Sequence, residues 1–184
     1  MQGTYNQSTL ENCLYNLDKS DIKIKISSMK NQTLEIKTAL QILKPVNEVF
    51  DAIVNPEKMS NYFISKGSGK METGKIIIWQ FPEFDMNFPI RAAKIEENKY
   101  ISFYWEMDGI ELFIEMTLAP RSNNSTLVTI TEKGRENDEA GIKWLKGNTE
   151  GWANFLACLK AWLEYGINLR KGAFDFMSDE ILKT

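Results

Sequence analysis

The residues in this chain that could do chemistry are carboxylates, because none of its 184 residues is a histidine. Without imidazole, the catalytic triads and dyads that use histidine as general base are excluded. The common zinc sites are excluded too, since two scattered cysteines cannot complete a tetrahedral shell of nitrogen and sulfur ligands. Haem held by a proximal histidine is excluded for the same reason. We therefore expect no metal and no cofactor, and a binding role is favoured over an enzymatic one.

Glu132 is the carboxylate in the most unusual position. In the strand predicted over residues 126–133 it shares an apolar face with Val128 and Ile130. A carboxylate on such a face has to be paired, solvated at the mouth of a cavity, or protonated. Arg91 is a candidate partner for it, and Glu106 is a candidate to share its proton.

Two structural roles for Glu132 are open. Buried opposite Arg91, it would orient the polar end of a ligand inside an otherwise apolar pocket. At the rim, it would form an exposed salt bridge worth at most about 1 kcal/mol, and this is the interpretation that we prefer. An enzymatic role would instead need Glu132, Arg91 or a tyrosine as general acid or base, most plausibly a carboxylate with a raised pKa.

Large apolar side chains recur with a period of two on the predicted strands and at helical spacing near the C-terminus. One interpretation is a filled core, in which each buried side chain contributes about 1.5–3 kcal/mol. The other is a cavity between the sheet and the helix that binds a small hydrophobic molecule. The residues expected to line that cavity are Trp79, Phe103, Trp105, Ile114, Met116, Ile130, Glu132, Trp152, Phe155 and Leu159.

A long amphipathic helix predicted over residues 148–170 must position the C-terminal part of this set. Asn148 or Thr149 is the expected N-cap, because a short polar side chain there accepts a hydrogen bond from the first helical turn. At about 100° per residue, one stripe of this helix contains Trp152, Phe155, Leu156, Leu159, Leu163 and Ile167.

The chain before this helix predicts a meander of strands. Pro45 and Pro56 delimit a first short helix after the first strand, and a second one is expected over residues 57–62. Asp108-Gly109 predicts a two-residue hairpin. Short turns between successive strands imply an antiparallel sheet rather than a doubly wound one. The strands are predicted at residues 33–43, 75–81, 88–95, 100–107, 110–118 and 126–133.

The composition of the chain indicates the class of protein and its cellular location. Hydrophobic residues make up 43% of the chain and the net charge is -3, which favours a folded domain and gives no case for nucleic acid. No stretch approaches the roughly 18 apolar residues needed to span a membrane. Two cysteines unsuited to a disulfide favour the cytoplasm. We expect residues 1–30 to be an N-terminal extension, residues 31–172 the domain and residues 173–184 a C-terminal tail.

Three motifs carry a family resemblance. The first is the segment Pro45–Phe63 (PVNEVFDAIVNPEKMSNYF), and the second is the strand that ends in Trp105-Glu106. The third is the strand end Leu118-x-Pro120, followed by TLVTITEKG and then by Gly151-Trp152. The three motifs occur in a characteristic order. Together they resemble the START-like superfamily, also called SRPBCC, in the branch of the C-terminal domain of the activator of the heat-shock protein 90 ATPase.

This resemblance implies an α+β helix-grip fold, in which a curved antiparallel sheet wraps around a long C-terminal helix, with two short helices after the first strand. Members of the superfamily often enclose an apolar cavity between helix and sheet, and their functions range from lipid and hormone binding to cyclisation enzymes and co-chaperone work. Combined with the missing histidine and the cysteine usage, the resemblance leads us to expect a cytoplasmic, non-catalytic protein, monomeric or homodimeric, that binds a small hydrophobic ligand. The alternative is a chaperone-associated stress-response protein, for which the resemblance is the only support.

Overall fold

Seven antiparallel strands form a single curved sheet in the computed structural model, which describes residues 33–107 and 109–176. The spatial order of the strands is β1-β7-β6-β5-β4-β3-β2. Every strand except β1 therefore lies beside its neighbour in sequence, and β1 closes against β7. The strands are β1 (Thr33–Ile42), β2 (Lys66–Gly67), β3 (Ile76–Gln80), β4 (Phe88–Glu96), β5 (Tyr100–Met107), β6 (Ile110–Arg121) and β7 (Ser125–Glu136).

Period-two alternation decides which face of the sheet is buried. On β6, Leu112, Ile114 and Met116 are fully buried, while the residues between them are partly exposed. The hairpin predicted between β5 and β6 is present, with Met107 paired to Ile110. Strands β6 and β7 are longer than predicted, and the two-residue β2 is absent from the predicted strands.

Two short helices, α1 (Val46–Val54) and α2 (Pro56–Met59), follow β1. Asn55 ends α1 and caps α2, because its side chain accepts a hydrogen bond from the backbone N–H of Glu57 at 3.0 Å. The second helix is shorter than predicted. Tyr62, which was expected inside it, instead donates its buried hydroxyl to the carbonyl oxygen of Ala52 at 3.0 Å.

The long helix α3 spans Glu139–Tyr165, so the predicted start near residue 148 is wrong. Asp138 is the N-cap, and its side chain accepts a hydrogen bond from the backbone N–H of Gly141 at 2.7 Å. Gly141 is needed in the first turn, because a Cβ there would overlap the carbonyl oxygen of Glu136 at the end of β7. The helix start therefore docks directly on the last strand.

The end of α3 also differs from the prediction. Gly166 adopts a left-handed conformation with φ 68°, which terminates the helix and redirects the chain. Ile167, predicted on the buried stripe, is consequently outside the helix and 51% exposed. The other stripe residues are buried or half-buried against the sheet and the short helices.

This α+β helix-grip architecture confirms the fold class expected from the sequence. Helix α3 packs against β1 and β7, and the hydrophobic core lies between it and the concave face of the sheet. Among the described residues, no helix combines the length and the apolar character that crossing a membrane requires. The N-terminal extension predicted at residues 1–30 and the last part of the predicted tail lie outside the described residues.

Candidate functional site

A pocket of about 440 Å³ lies at one end of the grip, between the middle of α3 and the ends of β4 and β5. The C-terminal segment after α3 borders its third side. The helix contributes Gly147, Asn148, Glu150, Gly151, Trp152 and Asn154, the rest of the domain contributes Phe63, Phe81, Phe84, Phe88, Trp105 and Met107, and the C-terminal segment contributes Arg170, Phe174 and Phe176.

Aromatic rings in contact with one another make up most of this wall. The Phe81 and Phe88 centroids are 5.2 Å apart at an angle of 78°, and Phe84 lies 6.0 Å from Phe88 on its other side. Trp105 and Trp152, which also line the pocket, contact each other with ring centroids 5.6 Å apart. Edge-to-face and tilted contacts of this kind hold rings in defined orientations, so the wall has a set shape without a ligand.

Two glycines on α3 expose the helix backbone to the pocket. Gly147 and Gly151 are one turn apart, so they share a face of the helix. A Cβ added at either would meet nothing within 4 Å. Glycine in a helix interior costs about 1 kcal/mol relative to alanine, so these two positions sacrifice helix stability and leave space beside the rings.

Glu132 lies directly behind this wall. Its side chain is fully buried, and its Oε2 accepts a hydrogen bond from the indole N–H of Trp152 at 2.6 Å. Its Oε1 accepts from the indole N–H of Trp105 at 3.1 Å, and the amide of Asn148 donates to both oxygens at 3.2 Å. Within the described part of the chain, the donors that hold the carboxyl group are thus all neutral.

Burial raises the pKa of Glu132 above its ordinary value, and the hydrogen bonds from Trp152, Trp105 and Asn148 oppose that rise. The indole of Trp144 also acts on this carboxyl group, although its N–H lies outside hydrogen-bonding geometry. Trp144, Asn148 and Trp152 are spaced by four residues, so they extend from successive turns of one helix face.

The interpretation that we preferred for Glu132, an exposed salt bridge at the rim, is wrong because the side chain is fully buried, and the alternative buried pair with Arg91 does not form either. Arg91 instead pairs with Glu111 at 2.6 Å on the opposite face of the sheet, where its guanidinium group lies 4.0 Å from the ring centre of Tyr104. The reason is the two-residue period of the strand, since the neighbouring Ile90 is fully buried. Glu106 is exposed and likewise lies away from Glu132.

A second polar link closes the pocket from the C-terminal side. Arg170 donates from Nη2 to Oε2 of Glu83 at 2.7 Å, with the two side chains only 15% and 5% exposed. The same guanidinium group lies 4.8–5.5 Å from the ring centres of Phe174, Phe63 and Phe81. Glu83, although it lies between two strands where a charge is usually solvated, is thus a buried partner of Arg170.

The structure separates the ten predicted cavity residues into three groups. Trp105 and Trp152 line the pocket, and Glu132 lies behind them. The other seven do not line this pocket; each is at most 1% exposed and packed in the core, namely Trp79, Phe103, Ile114, Met116, Ile130, Phe155 and Leu159.

Sequence reasoning missed most of the pocket wall because its residues come from loops and strand ends. Phe84 lies in the segment between β3 and β4, and Phe174 comes from beyond α3, where periodicity carries no signal. One usable signal was present. Gly147 and Gly151 are a glycine pair at helical spacing, and such a pair on an otherwise amphipathic helix indicates close approach to its backbone.

The sequence and the overall fold resemble those of known proteins. The family described as "Activator of Hsp90 ATPase homolog 1-like protein" has a sequence model that matches residues 44–164. The crystal structure of the protein SSP2350 from Staphylococcus saprophyticus is 33% identical, with 74% of this chain and 96% of that chain covered and a TM-score of 0.65. No curated protein matches the sequence.

Two solution structures show the same fold at lower identity. Bacillus halodurans protein BH1534 is 23% identical over 72% of this chain and 99% of that chain, with a TM-score of 0.61. The Aha1 dimer from Colwellia psychrerythraea is 21% identical over 72% of this chain and 98% of that chain, also with a TM-score of 0.61. The likeness extends over nearly the whole of each relative.

Proposed function

The chain belongs to the family of Activator of Hsp90 ATPase homolog 1-like proteins, and within that family we propose that it binds a small hydrophobic molecule in the pocket beside α3. This membership confirms the START-like resemblance recognised in the sequence. The single observation that supports the proposal most strongly is the aromatic wall around about 440 Å³ of space. That volume lies within the roughly 300–1,000 Å³ of small-molecule sites, which are mostly apolar and largely formed in advance.

Polar groups at the pocket are few and lie toward its edges. Asn154 and the exposed Glu150 come from α3, and Arg170 comes from the C-terminal segment. A small number of polar groups beside an apolar wall orients a ligand and provides specificity. The proposed ligand is therefore mainly apolar with one polar end directed toward the rim.

Binding rather than catalysis is the role proposed for this pocket. Glu132, the fully buried carboxyl group behind the wall, already accepts hydrogen bonds from Trp105, Trp152 and Asn148. A general acid or base has to come within hydrogen-bonding reach of the group that it protonates or deprotonates. Glu132 is instead placed to hold the wall. The buried free thiol of Cys158 suits the cytoplasmic setting that we propose.

Native mass spectrometry of the purified protein, followed by denaturing extraction, is the direct test. A retained apolar small molecule would support the proposal and identify the ligand class. The same spectrum distinguishes a monomer from a homodimer. If the protein carries no molecule and takes up no apolar compound when one is added, the proposal fails.

A matched pair of variants connects binding to this pocket. Gly151→Trp places a large side chain where a Cβ meets nothing within 4 Å, whereas Ala157→Trp places the same side chain on the exposed face of the same helix. We expect Gly151→Trp to weaken binding of the neutral fluorescent probe N-phenyl-1-naphthylamine by about tenfold or more. Ala157→Trp should bind the probe like the wild type. Equal affinities for both variants would place the binding site elsewhere.

A chaperone-associated role is the alternative, supported by the description of the family. Adding the purified protein to purified Hsp90 and measuring ATP turnover addresses it. An increase in turnover that Gly151→Trp leaves unchanged would favour this alternative over ligand binding.

A further inference from the structure

The two tryptophans in the pocket wall share one buried acceptor. Trp105 reaches it from the sheet and Trp152 from the helix, and both donate their indole N–H to Glu132. Their rings are 5.6 Å apart with an angle of 37° between their planes. Glu132 therefore lies where the two sides of the pocket wall are joined.

The groups around Glu132 are all donors, so they are satisfied by a side chain that only accepts hydrogen bonds. Indole N–H groups and the Asn148 amide nitrogen are donors without acceptor capacity, whereas an ionised carboxylate accepts through both oxygens. A proton on either oxygen would face these donors and would displace one of them. The arrangement therefore matches the ionised form of the side chain, and hydrogen bonds to a charged group are about twice as strong as neutral ones.

Among the described residues, the side chains paired in register with Glu132 and those that donate to its carboxylate are neutral. Ile36 of β1 and Ile114 of β6 are its partners in register, and both are buried. Trp105 comes from β5, and the α3 residues around it are Trp144, Asn148 and Trp152.

Charged residues close to Glu132 in sequence are engaged elsewhere. Lys133, the next residue, pairs with Glu35 and Glu115 on the other face of the sheet. Arg135 donates to the carbonyl oxygen of Met107 at 3.3 Å. The indole and amide donors are thus what the carboxylate relies on.

We propose that ionised Glu132 is the positioning residue of the ligand pocket: by accepting from Trp105 and Trp152 it sets both indole rings in the wall and thereby sets the affinity for the ligand. This inference rests on the proposed function, because it concerns the same pocket. It assigns a role to a residue that does not itself touch the ligand.

Glu132→Gln tests the proposal with almost no change in size. It replaces one acceptor oxygen with an NH₂ donor that faces the existing donors. The indole signals in ¹H–¹⁵N spectra and the binding of N-phenyl-1-naphthylamine should be measured at about pH 7. We expect the Trp105 and Trp152 indole signals to shift and the affinity for the probe to fall by about tenfold, or ~1.4 kcal/mol.

Glu115→Gln is the matched control. Glu115 is a carboxylate on the neighbouring strand β6 that accepts from the Tyr100 hydroxyl at 2.6 Å, away from the pocket. It should leave both the indole signals and the affinity unchanged. Wild-type affinity in Glu132→Gln, or an equal loss in Glu115→Gln, would overturn the proposal.

If Glu132→Gln does not fold, the wild-type protein provides the test. Affinity that falls between about pH 8 and about pH 4.5, together with shifts of the two indole signals, supports the proposal. Affinity that stays constant over that range overturns it. Failure of the wild type to bind any probe would instead refute the proposed function, while the pH dependence of the wild-type Trp105 and Trp152 indole signals would still report whether the carboxylate positions the rings.

Discussion

The indole nitrogen of Trp152 lies 2.6 Å from Oε2 of Glu132, in a region where both side chains are almost completely buried. This hydrogen bond connects the centre of α3 to β7. It combines a large apolar contact with a charge-assisted hydrogen bond, and the two contributions can be measured separately.

Trp152→Phe removes the N–H donor but keeps an aromatic ring. We expect it to lower the free energy of unfolding by about 1.5–3 kcal/mol, because the buried carboxylate loses its shortest hydrogen bond. Trp152→Ala also leaves a cavity and should cost about 3–5 kcal/mol. Urea unfolding followed by circular dichroism measures both. A cost of Trp152→Phe within about 0.5 kcal/mol, as for a surface substitution, would contradict the assignment.

The raised pKa of Glu132 predicts a specific dependence of stability on pH. Burial raises the pKa of this carboxyl group in the folded state, above the value of about 4.3 expected in the unfolded chain. The folded protein then binds more protons than the unfolded chain between the two pKa values. The contribution of Glu132 to the free energy of unfolding is therefore fully present below the pKa of the unfolded chain. It is lost as the pH rises through the pKa of the folded protein.

Glu132→Gln isolates this effect. Asp51, Glu96 and Glu164 have lowered pKa values, so they act in the opposite direction in both proteins and cancel in the comparison. The free energy of unfolding of the wild type, relative to that of Glu132→Gln, should fall as the pH rises from about 4 toward neutrality. A difference that is constant or rises with pH would show that Glu132 is not destabilised by burial.

The glycines of α3 should respond to alanine in opposite ways. Gly147→Ala adds a Cβ that meets nothing within 4 Å, so it should stabilise the protein by about 0.5–1 kcal/mol through helix propensity. Gly141→Ala should destabilise it, because the added Cβ overlaps the carbonyl oxygen of Glu136. Thermal unfolding of the two variants gives the signs. Stabilisation by both would mean that the helix start does not dock tightly on β7.

The ion pair between Arg170 and Glu83 should matter far more than the pair between Arg91 and Glu111. The first is 15% and 5% exposed and the second 47% and 56% exposed. Arg170→Met should therefore cost about 3 kcal/mol, because it leaves a buried carboxylate without its partner. Arg91→Met should cost at most about 1 kcal/mol. Chemical denaturation measures both, and comparable costs would contradict the buried setting of Arg170.

Much of the fold follows from local patterns in the sequence. Alternation on the strands correctly assigned Leu112, Ile114 and Met116 to the buried face, and it also assigned Glu132 to that face. The hairpin between β5 and β6 followed from its turn residues. Each of these features depends on neighbours within a few residues, where side-chain direction is set by the period of the backbone.

The N-terminal extent of α3 was harder to predict, because the packing of its first turn against β7 is a tertiary contact. Gly141 and Gly147 weaken the helical signal before residue 148, yet α3 continues through both. Packing of the helix start against the end of β7 outweighs the propensity cost of about 1 kcal/mol for each glycine.

What the sequence by itself determined is therefore the order of the elements, the antiparallel sheet, the long final helix and the position of Glu132 on the apolar face of its strand; its burial, which the rim interpretation had not expected, was decided by the structure. Only the tertiary structure decided that Glu132 is held by indole and amide donors instead of an arginine, and that Arg170 closes the pocket against Glu83. Arg170 and Glu83 are 87 positions apart in the chain. A charged side chain's partner is chosen by the packing that brings the two together, and local periodicity carries no information about contacts at that separation.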